Sequence, residues 1–420
     1  VSKYKFVDCQ GLAGAWSLAT VQTGKFDLIH RASLPGGFGD QTMDDNRAII
    51  GSEWEQEVGP VESWTPQEDV ALLCGTPPCS GFSLMNISKG ENSRGPDSAI
   101  NQCMKDLISY AGRCTGPDGK DGPLIVSLES VQGAYKQGRS LMQTLRKNLS
   151  DATGQTYDMT HVLMSGSSVG SAQMRHRYYL VLHRIPFGVD DPEPRKVVTY
   201  RDAIDDLIGL ELQWEDQKLK RKPSDWARPK LRSDGMVGDH QTIAEGPTRL
   251  SRVLGDLVEH WEPGETIHQA LKRYGKIPPS LKDKWDHEKN DVRGWSWPRR
   301  VDPDRPGYVL TGGGVHGFVH YKEDRLFTIR ELARLMGYPD EWQWPSGHVN
   351  KSSMLIGKCC PVESGRWVSG WFGRALDGDP GQQGEKIGDN EYIHDSTQAY
   401  KKWPTEVSHL VDRTKKPVRS

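Results

Sequence analysis

The sequence predicts an α/β protein with an open, doubly wound sheet and a second, smaller, irregular lobe. Three observations carry this. Short apolar runs of strand length alternate with segments of helical periodicity through the first 190 residues. From there to about Arg305 the chain turns rich in Pro, Trp and charge, and periodicity weakens. Helical order then returns at Thr328.

Taken in order, Val70-Ala-Leu-Leu-Cys74 is a buried strand running into the loop Gly75-Thr-Pro-Pro. Met104, Leu107, Ile108 and Ala111 sit at helical spacing, Leu124-Ile-Val-Ser-Leu128 is a second strand, and Leu141, Met142, Leu145 and Leu149 mark another helix. Tyr178-Tyr-Leu-Val-Leu182 is a third strand. This alternation predicts a parallel sheet covered on both faces. Thr328-Ile-Arg-Glu331 reads as a capping box, with Ile329, Leu332, Ala333 and Met336 as the buried stripe and Gly337 ending the helix. A last helix carries Trp367, Val368, Trp371 and Ala375 on one face. The expected organisation is a main domain of residues 1–190 completed by 306–376, a lobe over 191–305, and a partly mobile Gly- and polar-rich tail from 377 to 420.

Composition bounds the function. In 420 residues, 35% are apolar, with 14 Trp and 13 Tyr, enough to bury a core and to exclude wholesale disorder. No apolar run approaches the roughly 18 residues of a membrane helix. Val1 to Asp8 lacks the apolar centre of a signal peptide, so an intracellular, cytoplasmic chain away from membranes is expected. Seven cysteines without a Cys-x-x-Cys pair argue for reduced thiols, with neither a disulfide scaffold nor a metal site. The net charge is 54 − 56 = −2, yet it is unevenly spread. Asp40 to Asp69 holds nine acids against Arg47 alone, whereas Gln217 to Arg232 holds seven bases against Asp225 alone. The basic stretch is a candidate nucleic-acid contact, although such runs usually form a solvated face.

Functional groups of open α/β sheets gather in loops beyond the strand ends, and three such loops stand out. Gly75-Thr-Pro-Pro-Cys-Ser-Gly-Phe-Ser83 sets Cys79 at a rigid, glycine-flanked turn. Ser127-Leu-Glu-Ser-Val131 places Glu129 directly after a strand, and Gln173-Met-Arg-His-Arg177 precedes another. Singly, each has a bland reading: a buried thiol, a surface acid, a solvated charged turn.

In this order and spacing the three segments resemble the DNA cytosine-5 methyltransferase family. That family has a Pro-Cys loop, a Glu after the next core strand and a Gln-x-Arg-x-Arg turn. Arg94-Gly95, the segment from Thr328 to Gly337-Tyr-Pro-Asp340, and Ile356-Gly-Lys-Cys-Cys-Pro361 extend the resemblance over roughly Val7 to Leu376. It implies a Rossmann-like, class I methyltransferase-like sheet with a target-recognition domain at 191–305. It also implies double-stranded DNA as partner, with RNA as a further option, and S-adenosyl-L-methionine as cofactor. Oligomeric state is not legible; a monomer is the working expectation.

Cytosine C5 is a poor nucleophile, so the ring must be activated first. A thiolate adding to C6 makes C5 enamine-like. By the resemblance, Cys79 supplies that thiolate, and Glu129 hydrogen-bonds N3 and the exocyclic amine. Arg177 sits by the cytosine O2, Arg175 contacts phosphate, and Gln173 completes the turn. The base must leave the duplex to reach Cys79, so base flipping is implied. Ser80 follows the nucleophile on the DNA side. Lys218, Lys220, Arg221, Lys222 and Arg228 are the lobe's candidate DNA contacts. The cofactor would be held by Asp8, Gln10, Gly11, Gly14, Glu53, Pro78, Gly357, Lys358 and Cys359.

The cofactor side departs from the family pattern. Gln10 stands where an aromatic stacks on adenine, and Leu12 where a glycine is expected. The second strand ends in His30 and Arg31 without the ribose-binding acid, and Lys358 replaces an Asn. Two accounts follow. Either S-adenosyl-L-methionine is held in a diverged pocket, or the added cation suits a carboxylated analogue that would yield carboxymethylcytosine. A folate-type donor giving hydroxymethylcytosine is a weaker form of the second account. A catalytically inactive DNA-binding relative is the alternative from another class.

Overall fold

The computed structural model describes residues 3–35, 38–84, 90–210, 257–278, 299–311, 318–345 and 349–404, with a few positions between. Strands β1 (Tyr4–Cys9), β2 (Phe26–Ser33), β3 (Glu55–Val58), β4 (Leu72–Gly75), β5 (Ile125–Ser130), β6 (Asp158–Ser165) and β7 (His176–His183) join a C-terminal hairpin, β8 (Glu385–Gly388) and β9 (Glu391–Asp395). Together they make one nine-stranded sheet in the order β8-β9-β6-β7-β5-β4-β1-β2-β3. Helices α1 (Ala15–Val21), α2 (Phe38–Asp45), α3 (Arg47–Ile50), α4 (Gln102–Arg113) and α5 (Gln132–Thr153) connect the strands. Of the predicted elements, the two helical stripes are buried as expected, from Met104 to Ala111 and from Leu141 to Leu149.

The sheet is mixed rather than wholly parallel. β1, β2, β3, β4 and β5 run parallel, whereas β7 is antiparallel to both β5 and β6. The cause is the connection. Residues 166–175 are too few for the helical crossover that a parallel return needs, so the chain reverses into a neighbouring strand.

Two compact units emerge: residues 1–171, 175–196 and 359–408, and residues 172–174, 197–358 and 409–420. The second therefore runs on to Lys358, past the Arg305 boundary expected from composition. It contains α6 (Tyr200–Ile204), α7 (Ile267–Tyr274), α8 (Ile329–Leu335) and α9 (Val349–Lys358). In α8 the capping box forms in both directions, with Glu331 N–H donating to the Thr328 hydroxyl and Thr328 N–H to the Glu331 carboxylate. Gly337 follows at φ 85°, a left-handed residue where glycine costs least.

In the first unit α10 (Val362–Leu376) returns to pack on α1. Its buried face is not the Trp stripe. Trp367 and Trp371 are half-buried and meet each other edge-on. Val368 and Ala375 of the expected face are buried, and Val362, Ser364, Ser369 and Phe372 turn inward with them in place of the tryptophans. Close helix approach explains this: a Cβ on Gly365 would come 3.0 Å from the Ala19 methyl, and Trp16 Nε1 donates to Ser369 Oγ at 3.1 Å. Beyond Asp377 the chain forms the ordered hairpin β8–β9, where composition suggests a loose tail.

Candidate active site

Register places the two central charged groups. β5 and β7 pair antiparallel with Glu129 opposite Tyr179, so Arg177, two residues earlier, lies on the same face at the same end of the sheet. Arg177 Nε and Glu129 Oε1 approach to 2.5 Å as an ion pair, although their alignment falls short of a hydrogen bond. Both residues are buried, 5% and 3% exposed. Burial pushes the Glu129 carboxyl above its ordinary range, and the Arg177 charge pulls the other way. A carboxyl shifted in this direction keeps its proton to higher pH than an exposed one, which favours hydrogen bonding to a ring nitrogen.

The Cys79 loop leaves β4 beside β5, since Gly75 pairs with Leu128, the residue before Glu129. Cys79 is half-buried between the exposed Pro78 and Ser80. Phe82 anchors the turn: its N–H donates to the Cys79 carbonyl, and its side chain is fully buried. α5 makes room for it with two glycines. A Cβ at Gly138 would meet the Phe82 ring at 2.6 Å, and one at Gly133 the Phe82 carbonyl at 2.3 Å. Gly95 N–H donates to the Gly81 carbonyl, so Arg94-Gly95 returns to the nucleophile loop. Sequence reasoning missed this anchoring. Two glycines inside a long helical pattern were its signal.

The loop after β1 is built from buried polar groups. Asp8 accepts a 2.5 Å hydrogen bond from the Ser17 hydroxyl, while its Oδ1 has no hydrogen-bond partner among the described residues. Gln10 and Leu12 both adopt left-handed backbone, φ 58° and 50°, which costs a non-glycine residue roughly 1–2 kcal/mol. Burial pushes the Cys103 thiol up to about 11, so it stays protonated and donates to Gln10 Oε1 at 3.0 Å. Gln10 Nε2 is thereby turned away as a buried donor without a hydrogen-bond partner among the described residues. A Cβ at Gly11 or Gly14 would come to 2.0 Å from the Asp8 carboxylate or 1.8 Å from the Met43 sulfur, so a larger residue would force those side chains to move, and Gly14 also has φ 75°. Two orphaned side-chain atoms on a loop carrying two glycines fit a polar small-molecule cofactor held by this loop.

The other candidates are placed as follows. Glu53 is exposed just before β3, and Cys359 is buried before α10. Gly357 is buried and Lys358 exposed at the end of α9. Arg175 is 3% exposed, a buried guanidinium rather than one presented to a backbone phosphate. Gln173 is fully buried in the second unit. Its amide donates to the Leu335 carbonyl and accepts from Leu310 N–H, which makes it a bracket of that unit. Lys218, Lys220, Arg221, Lys222 and Arg228 lie outside the described residues.

His320, Glu323 and Glu331 bring ligand-type atoms within 4.8 Å of one another. Arg325 fills this cluster, donating to both Glu331 oxygens at 2.8 and 2.7 Å and to Glu323. His320 Nδ1 accepts the Lys322 and Glu323 N–H groups, which assigns its proton to Nε2, facing Glu331 at 3.6 Å. The cluster is an ion-pair network around a neutral histidine, whose pKa burial lowers to about 4.

An α/β sheet with a buried carboxylate–arginine pair beside a cysteine loop, and a glycine-bearing loop after its first strand, has the layout of a transferase that holds a nucleoside-type cofactor. The family model for C-5 cytosine-specific DNA methylases matches residues 56–369. The chain belongs to that family: it is an enzyme of the DNA cytosine-5 methyltransferase type, with S-adenosyl-L-methionine as methyl donor. It is 26% identical over 304 positions to the type II methyltransferase M.BbvI of Brevibacillus brevis, covering 69% of this chain and 66% of that protein. It is 24% identical over 482 positions to the DNA (cytosine-5-)-methyltransferase M.ApeKI of Aeropyrum pernix, covering 90% and 100%. A prophage-encoded E. coli structure described as a DNA modification methyltransferase shares the fold, at TM-score 0.54 and 17% identity over 90% of this chain and 99% of that one.

Proposed function

We propose that the chain methylates C5 of a cytosine flipped out of double-stranded DNA, through a covalent bond between Cys79 and C6. The observation that carries this reading is the buried Glu129–Arg177 pair, set by strand register at the sheet end where the Cys79 loop emerges. In the duplex, C6 lies inside the base stack, so a half-buried thiol needs the base extruded. Cys79 adds to C6 as the thiolate. Glu129, in its protonated form, donates to N3 and so neutralises the charge that this addition builds on the ring. Arg177 orients that carboxyl and offers its remaining donors to the cytosine O2. S-adenosyl-L-methionine supplies an electrophilic methyl group when bound. Asp8, Gln10, Gly11 and Gly14 hold it, with Glu53, Pro78, Gly357, Lys358 and Cys359 as further contacts. Loss of the C5 proton to water, departure of Cys79 as the thiolate and return of the N3 proton to the Glu129 carboxylate restore aromaticity.

The second unit is assigned target recognition. Its basic stretch at 217–232 provides phosphate contacts. Among the described residues nothing favours the carboxylated or folate-type donor, and the presence of both Cys79 and Glu129 gives no support to an inactive relative.

Duplex DNA carrying 5-fluorocytosine tests the mechanism, because fluorine cannot leave as the C5 proton does. A denaturation-resistant protein–DNA adduct is expected with the wild-type chain and cofactor, and none with Cys79→Ala. An adduct that persists in Cys79→Ala, or is absent from an active wild-type chain, refutes the covalent assignment. Mass spectrometry of nucleosides from the product DNA identifies the transferred group, with 5-methylcytosine expected.

A further inference from the structure

We infer that Arg31 is a positioning residue for the cofactor loop, holding Leu12 in its left-handed turn so that residues 8–14 present their polar atoms to the methyl donor. Arg31 stands near the end of β2, where the family resemblance leads one to expect an acid, and it is 1% exposed. Its strand partner across β1–β2 is Asp8. The guanidinium ties two residues of the loop to α2 and β3. Nε faces Asp8 Oδ2 at 3.4 Å, one terminal nitrogen donates to Asp40 at 2.5 Å and Gln56 at 3.3 Å, and the other donates to the Leu12 carbonyl at 2.6 Å.

The Leu12 bond is the informative one. A leucine disfavours positive φ, so another interaction must hold this backbone in place. The Arg31 donor meets the Leu12 carbonyl, which also lies where a Cβ on Gly39 would come within 2.2 Å. A cation and a neighbouring glycine thus impose the turn that a glycine at position 12 would adopt unaided. Arg31 ties the turn at the same time to Asp8, whose Oδ1 is one of the two orphaned buried atoms of the loop. It touches no reacting atom; it acts through the loop.

The test is a double-mutant cycle read by calorimetric binding of S-adenosylhomocysteine to the full-length chain. Arg31→Lys keeps the charge but loses the fork that spans Asp8, Leu12 and Asp40. Its Kd is expected to rise about tenfold or more. KM for S-adenosyl-L-methionine should follow that rise while kcat changes little, the signature of lost binding without lost transition-state contact. In a Leu12→Gly background, where the turn no longer resists, the same Arg31→Lys change should weaken binding by less than about threefold.

Equal penalties in both backgrounds would place Arg31 in the general fold and overturn the inference, as would an Arg31→Lys chain that binds like wild type. Should Arg31→Lys fail to fold, Asp40→Asn at the part-buried end of the clasp enters the same cycle, with the same dependence on residue 12 expected. The inference rests on reading residues 8–14 as the donor loop. A wild-type chain that does not bind S-adenosylhomocysteine would overturn that reading together with the inference. Binding by wild type with no coupling between residues 12 and 31 overturns the inference alone.

Discussion

Glu129 illustrates how one residue's chemistry is set by its surroundings. On a surface, its carboxyl would be ionised at neutral pH and useless as a proton donor. Under the sheet end, burial raises its pKa, and only Arg177 resists. The raised value means that the protonated form persists to higher pH than in an exposed glutamate and is lost as pH climbs through it. Glu129→Gln keeps the shape but has no proton to transfer. Turnover should fall by about 10²–10⁴-fold while S-adenosylhomocysteine binding is kept. The alkaline limb that reports Glu129 ionisation should also disappear from the pH profile of kcat/KM. A variant retaining both rate and limb would remove Glu129 from the chemistry.

At the scale of elements, the C-terminal hairpin shows how a polar segment can be locked into a sheet. β9 pairs parallel with β6, and Glu391 turns inward at 2% exposure. It accepts from Arg139 at 2.6 Å and from Gln143 at 3.0 Å, and it meets His161 at 2.9 Å. Burial alone would raise its pKa, but these three partners hold it down from the ordinary 4.5 to about 2. A depressed carboxylate pKa stabilises the fold fully above the ordinary value, and that contribution is lost as pH falls from about 4.5 through about 2. Glu391→Gln should therefore lower unfolding free energy at pH 7 by roughly 2 kcal/mol and flatten the acid dependence between those values. Urea melts at pH 7 and pH 3 would show it; an unchanged acid slope would exclude Glu391 as the hairpin's lock. Composition suggested a loose tail because the segment is rich in Gly and polar residues. Their anchors come from α5 and β6, some 230 to 250 residues earlier in the chain.

For the whole molecule, a net charge of −2 leaves DNA affinity to local concentrations of base, of which residues 217–232 are the densest. Each phosphate contact contributes about −0.9 to the slope of log affinity against log salt. Replacing Lys218, Lys220, Arg221 and Lys222 by alanine should make that slope shallower by about 3 to 4 if all four contact phosphate. Filter binding over a salt series measures it, and an unaltered slope would return the stretch to an ordinary solvated face.

The sequence by itself determined the α/β class, the three chemistry-bearing loops and the capping box, because these depend on local periodicity and on residue types at fixed spacing. Cys79, Glu129 and Arg177 stood out as candidates for that reason. Only the tertiary structure decided the rest. β7 runs antiparallel because a ten-residue connection cannot cross over, α10 buries Gly365 and Ser369 rather than its tryptophans because α1 approaches closely, and Gln173 is consumed by the second unit. Arg31 belongs with these. In one dimension it is a missing acid; in three it is the cation that holds a leucine in a glycine's conformation, because strand pairing sets it beside Asp8 and within reach of the Leu12 carbonyl. Contacts between residues distant in sequence depend on strand register and helix approach, which residue types and their spacing do not specify.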